Sequence, residues 1–113
     1  MLLVQESVRT IPVRKESAMV NLKESIISEI KDLAIKCGVE KVILFGSRAR
    51  GDSKERSDID LAIEGGNTAL FSVEADEIIN TLLMFDIVDL GGFVQDELRQ
   101  SIEREGKIIY EKI

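Results

Sequence analysis

The sequence predicts an α+β fold, a small mixed β-sheet backed by helices. Three observations carry that prediction. Segments with apolar residues every three or four positions alternate with apolar, β-branched runs. Those runs are few and short, which favours a small mixed sheet over a large parallel one. The chain has 113 residues, 44% hydrophobic and 32% charged, which suits one domain with a modest core.

Residues 1–21 fit the periodic pattern least and read as an N-terminal arm or extension, with residues 22–113 as the domain proper. Met19 lies just before the periodic part and is an alternative start to Met1. Residues 22–37, LKESIISEIKDLAIKC, place Leu22, Ile26, Ile30, Leu33 and Cys37 on one face of a helix, and Gly38 is its expected C-cap. KVILF, residues 41–45, reads as a buried strand stopped by Gly46. Residues 57–63 alternate, with Ile59, Leu61 and Ile63 facing one way and Asp58, Asp60 and Ala62 the other. Gly65 and Gly66 end that strand. A second helix is expected from Thr68 to Met84, with Leu70, Phe71, Val73, Ile78, Leu82 and Leu83 as its apolar set. FDIVDL, residues 85–90, is a third strand. Val94, Leu98 and Ile102 mark a last helix stopped near Gly106, and KIIYEKI follows as an edge strand or a packed extended segment.

Composition removes several function classes. Histidine is absent, so imidazole metal sites, Ser-His triads and a histidine base are excluded. Cys37 is the single cysteine, which rules out an internal disulfide and a cysteine-built zinc site; its place on an apolar helix face makes it a core residue. The net charge of −6 argues against an extended nucleic-acid footprint. No apolar run approaches the roughly 20 residues that span a bilayer, and the N-terminus lacks the pattern of a signal peptide. A cytoplasmic protein is expected.

The informative stretch is VILFGSRARGDSKERSDIDLAI, residues 42–63. An apolar strand breaks at Gly46-Ser47, passes through a basic loop, and resumes as a strand bearing Asp58 and Asp60. A glycine at a strand end lets the backbone approach a ligand closely, exposed N–H groups at a helix start attract anions, and the Ser47 hydroxyl adds a donor. Two carboxylates on one strand face, roughly 6–7 Å apart at the backbone, converge on shared cations. Oxygen donors without histidine suit Mg²⁺ or Mn²⁺ rather than zinc. Arg48, Arg50, Lys54 and Arg56 decorate the same connection, and Arg50, Lys54 and Arg56 read equally as solvated loop charges. Polyanion plus divalent metal points to a nucleoside triphosphate.

Gly46, Ser47, Asp58 and Asp60 form a Gly-Ser-x10-Asp-x-Asp pattern that resembles the signature of the DNA polymerase β-type nucleotidyltransferases. GSRARGDSKERSDIDLAI on so short a chain is similar to the minimal nucleotidyltransferases (MNT), the antitoxin half of HEPN/MNT toxin–antitoxin pairs. The resemblance runs from about residue 22 to Tyr110 and implies a polymerase β-type core. It also implies transfer of a nucleoside monophosphate, AMP from ATP, to an acceptor hydroxyl. Asp58, Asp60 and a third acid would hold Mg²⁺ or Mn²⁺ as catalytic ligands; FDIVDL offers Asp86 and Asp89, and the family pattern favours Asp86. Gly46, Ser47 and Arg48 would bind the nucleotide's phosphates, with Arg50 or Lys54 as further counter-charge. The implied partner is a HEPN ribonuclease toxin modified on a tyrosine. The alternatives are a catalytically silent antitoxin that blocks its partner by binding, and a nucleotidyltransferase acting on a small molecule or an RNA end.

Overall fold

A computed structural model describes residues 20–112, so the 1–21 arm lies almost wholly outside the described residues, as does Met19. The elements are α1 (Glu24–Cys37), β1 (Lys41–Phe45), α2 (Ser47–Arg50), β2 (Ile59–Glu64), α3 (Thr68–Ile78), β3 (Phe85–Asp89), α4 (Asp96–Glu105) and β4 (Lys107–Glu111). The four strands form one mixed sheet in the order β3-β2-β1-β4. β1 runs antiparallel to both β2 and β4, while β2 and β3 are parallel, joined through α3. The expected α+β fold is therefore the observed one, and KIIYEKI supplies an edge strand.

The alternation in β1 and β2 divides the packing into two unequal cores. Val42, Leu44, Ile59, Leu61 and Ile63 face α1 and α3 and pack on Ile27, Ile30, Leu33 and Phe71. Phe45 and Ala62 face the other way and meet Ile102 of α4, with Ile43, Val88 and Leu98 partly covered around them. Cys37 is buried in the larger core, and Tyr110 packs against its margin from β4. α1 ends where its sequence says it should. Gly38 adopts φ 70° and ψ 20°, and the Val39 N–H closes onto the Ala34 carbonyl at 2.9 Å.

One helix is shorter than its periodicity implies. α3 stops at Ile78, six residues before Met84, and Ile79 turns extended with its side chain buried. Residues 80–83 are held by other bonds: the Asn80 N–H donates to Glu29 Oε1 and the Leu83 N–H to Thr81 Oγ1. The Thr81 hydroxyl competes for a backbone donor in this way and favours a turn over helix. Leu82, assigned to the apolar face by spacing, is fully exposed, as are much of Val73 and Ile78. Among the described residues no helix is long and apolar enough to cross a membrane.

Two phenylalanines give a direct check on this packing. Phe71 has no exposed surface and Phe93 is almost wholly exposed. Phe71→Ala should lower unfolding free energy by about 3–5 kcal/mol, whereas Phe93→Ala should stay within about 0.5 kcal/mol in the same denaturant titration.

Candidate active site

The site is built from strand register. Asp60 on β2 pairs across the parallel ladder with Asp86 on β3, and across the antiparallel ladder with Phe45 on β1. Directly paired residues share a face, so Phe45, Asp60 and Asp86 form one row across the sheet. The next row, Ile43, Ala62 and Val88, belongs to the core beneath α4. The acids thus occupy the end of that face beyond the helix. Asp89 lies three residues from Asp86 and falls on the opposite face. Its carboxylate accepts from Thr68 Oγ1 at 2.9 Å and from the Gly91 N–H at 2.9 Å, a strand-end role.

Asp58 lies just outside the ladder. β2 begins at Ile59, whose N–H donates to the Met84 carbonyl, and Asp58 precedes the ladder in an exposed position. It remains close enough to act on Asp60 electrostatically. Burial raises the Asp60 carboxyl well above the ordinary range, and the charges of Asp86 and Asp58 push it further, to about 6; Arg50 and Arg48 pull weakly the other way.

Gly46 follows Phe45 and sits against Asp60. Its φ of 75° and ψ of −158° belong to a region open essentially to glycine alone, and a Cβ there would overlap Asp60 Oδ2. The missing side chain leaves the carboxylate uncovered on that side. The Gly46 carbonyl then accepts from the Ala49 and Arg50 N–H groups, starting the single turn of α2 with Ser47 at its head.

Arg48 has a use that its sequence position does not reveal. Only 5% of it is exposed, and its guanidinium donates to the main-chain carbonyls of Asn21, Lys54, Glu55 and Ser57. These bonds commit the donors to holding the β1–β2 connection closed, where the expectation was a free phosphate ligand. A charge this buried persists because each guanidinium nitrogen has a carbonyl partner. The Asn21 N–H returns a bond to the Arg48 carbonyl, and the Asn21 side chain reaches Ser53 Oγ. Arg50 pairs with Asp52 and, at 3.0 Å, with Glu105 at the end of α4. Lys54 and Arg56 are exposed. Asn21, Phe45 and Glu105 escaped sequence reasoning because nothing local links them to the Gly-Ser turn.

The donor set fits a hard divalent cation: carboxylate oxygens from two neighbouring strands and a glycine that leaves them open. Among the described residues, no three acidic or thiol side chains already converge as a closed metal cage. A cavity of about 740 Å³ lies beside the β1–β2 loop, lined by Asn21, Ile26, Arg48, Arg56, Thr81 and Leu83 among others, and none of the three acids borders it.

Two outcomes follow from this geometry. Arg48→Lys supplies one ammonium where a fork of donors met four carbonyls, so stability should fall by about 2 kcal/mol or more in chemical denaturation. Asp60 binds its proton more tightly folded than unfolded, so its contribution to stability is complete below about pH 4 and is lost as pH rises through about 6. In chelator, Asp60→Asn should melt higher than the parent at pH 7–8, with the difference vanishing near pH 4.

Comparisons with known proteins bear on the family and the fold. The family model described as "Polymerase beta, Nucleotidyltransferase" matches residues 24–113. Two proteins of Methanocaldococcus jannaschii are similar in sequence. "Putative protein adenylyltransferase MJ0128" is 34% identical over 91 residues, covering 70% of this chain and 93% of its own. "Putative protein adenylyltransferase MJ0604" is 33% identical over 82 residues, covering 64% and 79%. Among solved structures, a toxin–antitoxin complex with AMP-PNP has a chain that superposes with a TM-score of 0.63 at 21% identity, covering 76% of this chain and 73% of that one. A chain of the Shewanella oneidensis complex of tri-AMPylated HEPN toxin with MNT antitoxin gives 0.56 at 21% identity, covering 77% and 71%. The match over residues 24–113, the four-stranded mixed sheet and the Gly46-Ser47 turn beside Asp60 lead to one conclusion: the chain belongs to the polymerase β nucleotidyltransferase family.

Proposed function

We propose that this chain transfers AMP from ATP to a hydroxyl on a partner protein, a tyrosine of a HEPN toxin, and so acts in the cytoplasm as its antitoxin. The observation that carries the reading is the in-register pair of Asp60 and Asp86 beside Gly46. The names of the M. jannaschii relatives support protein as the acceptor class, and the toxin–antitoxin complexes of like fold support a HEPN partner.

Asp58, Asp60 and Asp86 would hold Mg²⁺ or Mn²⁺, which when bound neutralises phosphate charge and polarises the reacting oxygens. The acceptor oxygen forms a bond to the α-phosphorus as the bond from that phosphorus to the pyrophosphate oxygen breaks. Asp86, on the outer strand and exposed, takes the hydroxyl proton. Asp60, half-buried against Phe45, is the anchoring acid whose charge needs compensation. Gly46 leaves room for the triphosphate to approach, and the Ser47 hydroxyl donates to a phosphate oxygen. Arg48 contributes through the loop shape that it enforces, and its buried charge lowers the cost of ionising Asp60.

Incubating the protein with a HEPN toxin, α-labelled ATP and Mg²⁺ tests the reading, with label expected on a toxin tyrosine. Neutralisation of the toxin without any label would reduce the chain to a binding antitoxin. Label on a small molecule or an RNA end instead would redirect the acceptor. Asp86→Asn should lower transfer by about 100-fold or more. Asp89→Asn, on the opposite face, should leave it within a few-fold.

A further inference from the structure

β3 is the outer strand on the acid-bearing side of the sheet, and among the described residues no strand lies beyond it. Its main-chain phase is set by two bonds. The Ile59 N–H donates to the Met84 carbonyl at 2.8 Å, and the Leu90 N–H donates to the Ile63 carbonyl at 2.9 Å. A parallel ladder alternates evenly, so Met84, Asp86, Val88 and Leu90 turn their main-chain groups toward β2. Phe85, Ile87 and Asp89 therefore turn theirs outward. The Asp89 carbonyl is already taken by the Gly92 N–H at 3.1 Å. Among the described residues, that leaves the N–H and C=O of Phe85 and Ile87 open on the two sides of Asp86.

The surroundings limit how an acceptor can reach Asp86. Asp60 and Phe45 fill the same row inward, and α4 covers the next row. Asp86 is exposed, and the outer edge gives an extended chain an open approach to it. Exposed apolar side chains flank that edge: Leu82 and Met84 precede β3 and Phe93 follows it. An extended peptide adding to β3 would gain main-chain bonds and cover apolar surface at both ends.

Resting on the adenylyltransferase reading, we propose that the open edge of β3 is the acceptor-docking surface, where an extended segment of the acceptor protein pairs with Phe85 and Ile87. The residue opposite Asp86 then shares its face, with Cβ atoms about 5 Å apart, and it or a neighbour two positions along presents the hydroxyl. Charge narrows the occupant further. A second copy of this chain would set Asp86 and Asp89 against their own kind on an edge of a protein of net charge −6, which opposes self-pairing. A nucleic-acid acceptor would meet the same repulsion and offers no strand-like main chain. The fitting segment is extended, apolar at its ends and free of acidic residues next to its hydroxyl.

Residue-resolved hydrogen exchange on the complex with the HEPN toxin, in ATP and Mg²⁺, tests this surface. In the free protein the Phe85 and Ile87 amides should exchange fast while Asp86 and Val88 are protected. Toxin binding should slow Phe85 and Ile87 by roughly tenfold or more and leave Asp86 and Val88 little changed. Leu82→Glu combined with Met84→Glu should lower toxin labelling about tenfold at low toxin concentration, with an unchanged melting temperature. If the toxin is labelled but Phe85 and Ile87 exchange freely in the complex, the docking surface is wrong and the activity stands. If the parent protein labels no toxin, the adenylyltransferase reading fails and takes this surface with it.

Discussion

Parallel pairing of β2 with β3, in one register and no other, is the constraint on which the site depends. With Asp60 opposite Asp86, both carboxylates leave the face that α1 and α3 cover, while Ile59, Leu61, Phe85 and Ile87 remain in the large core. A slip of one residue would drive Asp86 among those side chains and bring Ile87 out beside Asp60. Apolar burial therefore selects the register that juxtaposes the acids. Burial, and after it the like charges of Asp86 and Asp58, raise the affinity of Asp60 for its proton. Stability of the large core, rather than attraction within the site, holds the two carboxylates together.

The loop between β1 and β2 has its own organiser. Thirteen residues, 46–58, leave the sheet at Phe45 and return at Ile59, and only a four-residue turn within them is helical. Such a segment carries many backbone carbonyls without ladder partners, and Arg48 collects three of them together with Asn21 from the start of the described chain. Arg50 ties the same loop to α4 through Glu105. The basic character of the connection thus serves two ends. Part of it closes the loop over its own carbonyls, and part of it sets the field around Asp60.

Much of this was legible in the residues, and the misses have identifiable causes. The period of two in β1 and β2, the period near four in α1, and Gly38 all act through local geometry that neighbours do not override. That Asp86 and Asp89 fall on opposite faces has the same origin, because an odd offset along a strand reverses the face; which of them joins Asp60 depends on the β2–β3 register, which is not local. α3 is shorter than its periodicity because Ile78, Leu82 and Leu83 keep helical spacing after the chain has already turned. The turn depends on Asn80 meeting Glu29, a contact between residues far apart in sequence. The carbonyl partners of Arg48 are hidden from the sequence for a related reason. An arginine after Gly-Ser looks like a phosphate ligand until the fold brings four carbonyls within its reach.

Asp60 links stability, protonation and ligand binding in a single group. Its position is favourable for the fold when neutral and unfavourable when charged, so at neutral pH the folded state carries a penalty that any bound cation would relieve. Gly46 keeps that relief available. A side chain there would cap the carboxylate with carbon, and the turn conformation forbids one in any case. The same glycine therefore satisfies a backbone requirement and a chemical one, and replacing it would disturb both. Exposed Asp86 faces a different environment, open to solvent on the sheet's edge. The two acids are alike in type and paired in register, yet burial assigns one to anchoring and exposure leaves the other to meet what arrives.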